Sequence, residues 1–225
     1  MPKIRPREFA LALCLTATAG FLDAVGFLNL GGYFISFMTG NTTRLSTEVV
    51  HASAGGIGKA LGIIGLFVVG TVIGSVASRL GDQIGATRNF DGRVTVLAGT
   101  SAVVGLAAAA SMLDWFPVPA TLIATVAMGM LNATFLRDGE VSVGLTYMTG
   151  TLVKAGQRLA EVFFGGPRWS WVRPFGQWLS LALGAMLGAW AYTQIGLAVL
   201  WLVFAGLTAT TLATWWVRSN DPHDQ

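Results

Sequence analysis

Apolar residues fill this chain in long runs between short charged segments. Six runs approach the length of about 20 residues that crosses a bilayer as a helix: Phe9–Leu30, Ile57–Leu80, Val94–Leu113, Pro119–Leu136, Val172–Gln194 and Ile195–Val217. Two further stretches, Tyr33–Val50 and Val141–Phe164, place polar residues at helical spacing and predict amphipathic helices. Each contains the word Met-Thr-Gly, once as FMTGN (Phe37–Asn41) and once as YMTGT (Tyr147–Thr151). The strict apolar–polar alternation of a membrane barrel strand is absent, and Ala, Leu and Gly dominate instead.

Composition turns this pattern into a class. The chain is 53% hydrophobic and only 11% charged, with a mean hydropathy of +0.63. A soluble domain carries about 25% charged residues, so this surface is built for lipid, and the bilayer is its first partner. Cys14 is the only cysteine, which excludes an internal disulfide. His51 and His223 lack metal-ligand spacing, and neither they nor Cys14 form a nucleophile–base pair. The expectation is therefore a non-enzyme without metal or cofactor, and the net charge of +3 gives no reason to expect nucleic acid.

The charges orient the spans. With six crossings and a cytoplasmic N-terminus, Lys3, Arg5, Arg7, Arg79, Arg88, Arg93, Arg137, Lys154, Arg158, Arg168, Arg173 and Arg218 all lie inside, and only Arg44 and Lys59 lie outside. Twelve of the 14 basic residues then share one side, as the positive-inside rule requires. If both MTG segments crossed as well, Arg79, Arg88 and Arg93 would move outside. The expected topology has both termini cytoplasmic, in a bacterial inner membrane. A cleaved signal peptide over the first 20 or so residues is the weaker reading, because the apolar run continues past the cut. Asp114-Trp115 and Trp215-Trp216 read as interface anchors at span ends.

The chain is also written twice. GFLDA at Gly20–Ala24 pairs with GMLNA at Gly129–Ala133, and the MTG words follow. VVGTVIGSVA around Gly70 and Gly74 pairs with ALGAMLGAWA around Gly184 and Gly188. VLAGTSA around Gly99 pairs with VFAGLTA around Gly206. These colinear matches define repeats over about 9–113 and 119–217. Each repeat holds three spans and one MTG helix, and three is odd, so the halves enter the membrane from opposite sides. The fold class expected is all-α: six transmembrane helices as two inverted three-span repeats, each with an amphipathic or re-entrant MTG helix. Such repeats place a substrate site near the midplane, where the halves meet.

Candidate binding residues follow from this frame. Asp23 is an acid well inside the first span, which is costly and so points to a cavity, a partner or a proton path. Its repeat mate, Asn132, keeps the shape and drops the charge. Thr39, Gly40 and Asn41 in the first MTG helix, and Thr149, Gly150 and Thr151 in the second, are residues that favour helix starts. Half-helices beginning there would aim free N–H groups at an anion or a polar acceptor. Arg44 and Lys154 fall on the same stripes, with Glu48 one turn beyond Arg44. A salt bridge from Asp23 to Arg44 or Lys154 is the structural alternative. The GxxxG words at Gly70/Gly74 and Gly184/Gly188 mark close helix contact, between the halves or across a homodimer.

The stretches AGFLDAVGFLNLGGYFISFMTGNTTRLS and GMLNATFLRDGEVSVGLTYMTGTLVKAGQRL resemble the YoaK-like family of bacterial membrane proteins, a domain of unknown function with about six spans. The likeness runs from about Glu8 to Arg218. It implies the topology above and carries no site residues. The functional expectation is a small secondary transporter or permease for a polar or anionic solute, working by alternating access, and a homodimer because the chain is short. A structural or regulatory membrane subunit is the alternative, and a membrane enzyme comes behind both.

Overall fold

The computed structural model describes residues 6–88, 91–113, 119–137, 140–141 and 144–220. Lys3, Arg5, Asp114-Trp115 and His223, invoked above, lie outside the described residues. The chain forms α1 (Pro6–Asn29), α2 (Met38–Val50), α3 (Ala54–Arg88), α4 (Gly92–Ala110) and α5 (Ala120–Leu131). α5 continues as a 3₁₀ turn, Asn132–Phe135, into a two-residue antiparallel ladder joining Leu136–Arg137 to Glu140–Val141. α6 (Met148–Phe163), α7 (Val172–Ile195) and α8 (Val199–Ser219) complete it. α1, α3, α4 and the α7–α8 stretch are long and apolar enough to cross a membrane, and α5 with its 3₁₀ extension is a shorter apolar helix. This is the construction of a polytopic helical membrane protein, because helices satisfy every backbone group internally in lipid.

The α7–α8 stretch breaks at Gly196, whose φ of +58° and ψ of −141° form a conformation open mainly to glycine. The main core cluster holds Leu15, Leu22, Leu97, Met128, Leu131 and Leu200 with interleaved alanines, and two smaller clusters gather around Tyr33 and Ile63 and around Val25 and Val199. Val68, Val69, Val72, Ile73 and Val76 on α3 point outward, as apolar side chains do where the solvent is lipid.

Two helix crossings dominate the packing, α1 on α7 and α3 on α5. They are the same crossing built twice. On α7, Gly184 lies against the Ala17 backbone and Gly188 against that of Phe21, while Gly20 of α1 faces Leu181. On α3, Gly70 lies against Val126 and Gly74 against Met130, while Gly129 of α5 faces Phe67. Every partner in the second set is the repeat mate of its counterpart in the first. A Cβ at any of these glycines would collide with backbone atoms that cannot swing aside. The GxxxG words are therefore consumed between the halves of one chain. A serine reinforces the first crossing, Ser180 Oγ donating to the Leu13 carbonyl at 2.6 Å.

The MTG helices are shorter than the sequence predicts. Residues 33–37 and 144–147 are irregular, and the helices start at Met38 and Met148. Phe37 and Tyr147 occupy the N-cap positions without side-chain capping. Thr39, Gly40, Asn41 and their mates Thr149, Gly150 and Thr151 thus sit inside the first turn and do not start the helices. The reason is tertiary: a side chain from α1 holds the backbone N–H groups of Ile35 and Ser36 and so fixes the turn that leads into the first helix.

Candidate functional site

That side chain is Asp23. Its Oδ1 accepts from the backbone N–H of Ile35 at 2.9 Å and of Ser36 at 2.6 Å, and its Oδ2 accepts from the Ser36 hydroxyl at 2.7 Å. Asp23 thus ties the irregular stretch ahead of the first MTG helix to α1. Asn132 takes the equivalent place in the second half, where its Oδ1 accepts from Thr146 Oγ1 at 3.2 Å and its Nδ2 donates to the Met128 carbonyl at 3.0 Å. Ser36 and Thr146 precede their MTG words at the same distance, so both halves use one brace. One copy is an acid and half-buried, the other an amide and buried. Neither pairs with Arg44 or Lys154 in these hydrogen bonds.

Asn41 is fully buried and closes the same turn. Its Oδ1 accepts from Phe34 N at 2.9 Å and its Nδ2 donates to Phe34 O at 2.8 Å, imitating a strand pairing. Gly40 gives room to the rings of Phe34 and Phe37, which meet edge-on at 5.1 Å. Thr39, Thr149 and Lys154 are exposed, Gly150 faces open space, and Thr151 turns its hydroxyl back to the Tyr147 carbonyl at 3.3 Å. α2 packs on α3 and α6 on α7, rather than on each other. The candidate residues are accordingly gathered into two separate, repeat-related turns and not into one shared chamber.

Arg44 belongs to a cluster that sequence reasoning did not anticipate. Its guanidinium lies 4.5 Å from the centroid of the buried Tyr33 ring, and Lys59 Nζ lies 5.0 Å from the same ring. Lys59 also donates to the Leu30 carbonyl. The Tyr33 hydroxyl donates to Glu48 Oε1 at 3.0 Å. Arg44 and Glu48, one turn apart as predicted, thus meet through Tyr33. Hydrogen bonds from Ser53 and then from Tyr33 hold the Glu48 carboxyl below its usual range, and burial followed by the bond to Glu48 pushes the Tyr33 phenol up.

A cavity among the described residues lies elsewhere. A groove of about 730 Å³ runs between the N-terminal half of α1 and the C-terminal half of α8, lined by Leu11, Cys14, Thr210, Ala213, Thr214 and Val217. Arg7, Glu8, Arg93 and Arg218 stand at its mouth. Arg93 Nη1 bonds Glu8 Oε1 at 3.2 Å and its guanidinium covers the Phe135 ring at 4.8 Å, while Arg218 pairs with Asp91. Asp91 in turn caps α4 through Arg93 N at 3.1 Å. Across it, Cys14 Sγ meets Thr210 Oγ1 at 3.6 Å. None of the predicted site residues lines it. Charge counting had put Arg7, Arg93 and Arg218 on one side; the overlooked signal is the two acids, Glu8 and Asp91, set among those basic residues.

The repeat makes this groove informative, because its counterpart is shut. The mates of Leu11 and Cys14 are Ala120 and Ile123, and those of Thr210 and Thr214 are Val103 and Ala107. α4 packs directly on α5, with Ala107, Ala108, Ala120 and Ala124 fully enclosed in the core and Val103 and Ile123 against it. α4 also packs on α3, whereas its mate α8 touches α7 sparsely.

A helical bundle with two equivalent glycine crossings, a braced turn ahead of each amphipathic helix and one open end defines an internally repeated integral membrane protein. The profile of a protein family described as "Protein of unknown function (DUF1275)" matches residues 11–213, and the chain belongs to that family. It is 30% identical over 203 residues to the UPF0700 transmembrane protein RA0705 of Rhizobium meliloti (strain 1021), covering 88% of this chain and 84% of that protein. No solved structure matches it.

Proposed function

We propose that this chain is a small permease of the bacterial inner membrane, with six crossings and both termini cytoplasmic, moving a small polar or anionic solute by exchange between two inverted halves. The observation that carries the reading is the unequal seam between equivalent helix pairs. α1 and α8 stand apart at the end marked by Arg7, Arg93 and Arg218, while their mates α5 and α4 are closed at the opposite end. Two halves with the same crossing can trade these arrangements, and trading them opens the other end, which is the rocking motion of inverted-repeat carriers. The positive-inside rule supports assigning the open end to the cytoplasm.

A second reading, a structural or regulatory membrane subunit, is favoured by one observation: Asp23, Asn41 and Asn132 spend hydrogen bonds on the chain itself. Reciprocal accessibility separates the two. In the permease, native Cys14 in the open groove reacts with an impermeant thiol reagent from the cytoplasmic face, and Ala107→Cys in a Cys14→Ser background reacts slowly from outside. A bulky adduct left on Cys14 props the inner groove and suppresses labelling of Ala107→Cys in the Cys14-containing protein. An Ala107→Cys rate that ignores the Cys14 adduct rules out exchange and leaves the scaffold reading.

A further inference from the structure

α6 has three faces. One, carrying Met148 and Ala155, is buried, and the helix packs on α7. Hydrogen bonds tie it to α7 and its lead-in: Gln177 Nε2 donates to the Gly144 carbonyl at 3.5 Å, and Arg158 Nη1 to the Ser170 carbonyl at 3.1 Å. A second face is polar and exposed, with Lys154, Gln157 and Glu161 at i, i+3 and i+7. The third is exposed but not polar: Leu152, Gly156, Leu159 and Phe163 fall at i, i+4, i+7 and i+11, with Val153 beside them. Phe163 is 82% exposed, Phe164 after it 91%, and Trp169 in the following turn 68%. At 16 residues α6 is shorter than the roughly 20 that cross a bilayer. A short helix with one apolar and one polar open face is suited to the boundary between acyl chains and water.

The repeat does not impose this face. The mates of Leu152, Val153 and Gly156 on α2 are Thr42, Thr43 and Ser46, whose hydroxyls donate to carbonyls of their own helix. The cations differ as well. Arg44 is stacked on Tyr33, whereas its mate Lys154 is exposed. Among the described residues no carboxylate pairs with Lys154, Arg168 or Arg173. Arg168 lies 5.6 Å from the Trp169 ring and Arg173 5.6 Å from that of Phe9. Three cations against Glu161, the acid of α6, leave two positive charges in excess. Exposed tryptophan beside arginine is the composition of a headgroup layer. We infer that α6 docks on anionic phospholipid in the headgroup layer at the end of the bundle where α7 begins. Leu152, Leu159 and Phe163 then lie among the acyl chains, and lipid phosphates sit on Lys154, Arg168 and Arg173. A soluble anion would leave Phe163 and Phe164 in water. A second copy meeting this face by two-fold symmetry would set the same cations against each other. The assignment holds whether or not the two halves exchange.

Bimane attached at Phe163→Cys, in the full chain with Cys14→Ser, reports which lipid covers the stripe. The protein is placed in phosphatidylcholine nanodiscs containing, at one mole fraction, either phosphatidylglycerol or phosphatidylcholine with a nitroxide quencher on the acyl chain. The anionic quencher acts as though enriched roughly fivefold over the bulk, the ratio that about 1 kcal/mol of preference gives. The same label at Met186→Cys, on the exposed side of α7, shows no such preference. Lys154→Gln with Arg168→Gln removes the preference at Phe163→Cys and leaves quenching by phosphatidylcholine unchanged, and added salt weakens it in the parent. Both side chains are exposed; if the double variant fails to fold, Lys154→Gln alone carries the test with a smaller loss of preference. Quenching by neither lipid means that protein covers the face and overturns the docking. Equal quenching by both, or equal preference at Met186→Cys, overturns the selection of anionic lipid by α6. A preference that survives loss of the cations overturns their role as its source.

Discussion

Substitution of Asp23 distinguishes a brace from a titrating group, and the structure gives both magnitudes. Asp23→Ala strips the acceptor from Ile35 N–H and Ser36 N–H, bonded at 2.9 and 2.6 Å, and from the Ser36 hydroxyl at 2.7 Å. The hydroxyl can rotate to another acceptor, but the two amides cannot. Each buried donor left unpaired costs about 1–3 kcal/mol, so the loss is about 2–6 kcal/mol. Asp23→Asn keeps an oxygen for both amides and offers Nδ2 to Ser36 Oγ, which accepts as readily as it donates. What it loses is charge assistance, about 1–1.5 kcal/mol per bond, offset by relief of the carboxylate's desolvation. The net cost is on the order of 1 kcal/mol, and the protein already tolerates this chemistry at Asn132 with Thr146. For a chain of this size about 1 kcal/mol moves the melting temperature by about 2–4 °C. Tryptophan fluorescence melts in detergent, with eight tryptophans as probes, then show Asp23→Asn a few degrees below the parent and Asp23→Ala at least twice as far down. An Asp23→Ala protein as stable as the parent would falsify the brace. A well-folded Asp23→Asn that loses the Cys14–Ala107 reciprocity would show that the charge, beyond the acceptor, drives the cycle.

Gly184→Ala sets a methyl against the Ala17 carbonyl, where only backbone movement can relieve it; it destabilises by about 1–3 kcal/mol or more in the same melts. Gly150→Ala, with open space around the new methyl, raises stability by about 0.5–1 kcal/mol through helix propensity. The depressed Glu48 carboxyl contributes stability that is complete above the ordinary carboxylate pKa and is lost as pH falls through its lower folded value. Tyr33, raised, holds its contribution below the ordinary phenol range and loses it as pH climbs through its elevated value. Tyr33→Phe removes the partner at both ends, so the acid-side dependence of the melting temperature is weaker in that variant; an unchanged profile means the cluster does not titrate with folding.

The apolar helices and the glycine words could be read from the chain because both are imposed residue by residue. Lipid exposure demands apolar side chains such as those of Val68–Val76, and backbone approach at the crossings demands glycine at Gly20, Gly70, Gly74, Gly129, Gly184 and Gly188. The turns ahead of the MTG helices could not, because their N–H groups find an acceptor 12 and 13 residues back, on another helix. Local capping signals at Thr39 and Asn41 therefore pointed two to four residues too late. The Tyr33 cluster was hidden in the same way: Lys59 reads as an outside charge, and only the fold stacks it with Arg44 on one ring. The open groove was hidden for a different reason. Nothing in the words around Gly99 and Gly206 says that Ala107 is enclosed and Thr214 is not; that difference lies in where the helix stands.

The two halves agree where the backbone is load-limited and differ where charge is involved. The glycine crossings match partner for partner, which fixes α1 on α7 and α3 on α5 as equal hinges. Against that constant frame stand three differences: Asp23 for Asn132, Arg93 and Arg218 for Leu200 and Ser111, and Thr214 with Leu11 for Ala107 with Ala120. The first contrasts the two halves, whereas the other two draw residues from both halves and contrast the two seams. Among the described residues the Glu8–Arg93 and Asp91–Arg218 pairs lie at one seam, and alanine fills the equivalent seam. Under the permease reading this division has a use: an apolar seam holds shut through close packing alone, whereas an end tied by Glu8–Arg93 and Asp91–Arg218 can keep its helices in register beside an open groove.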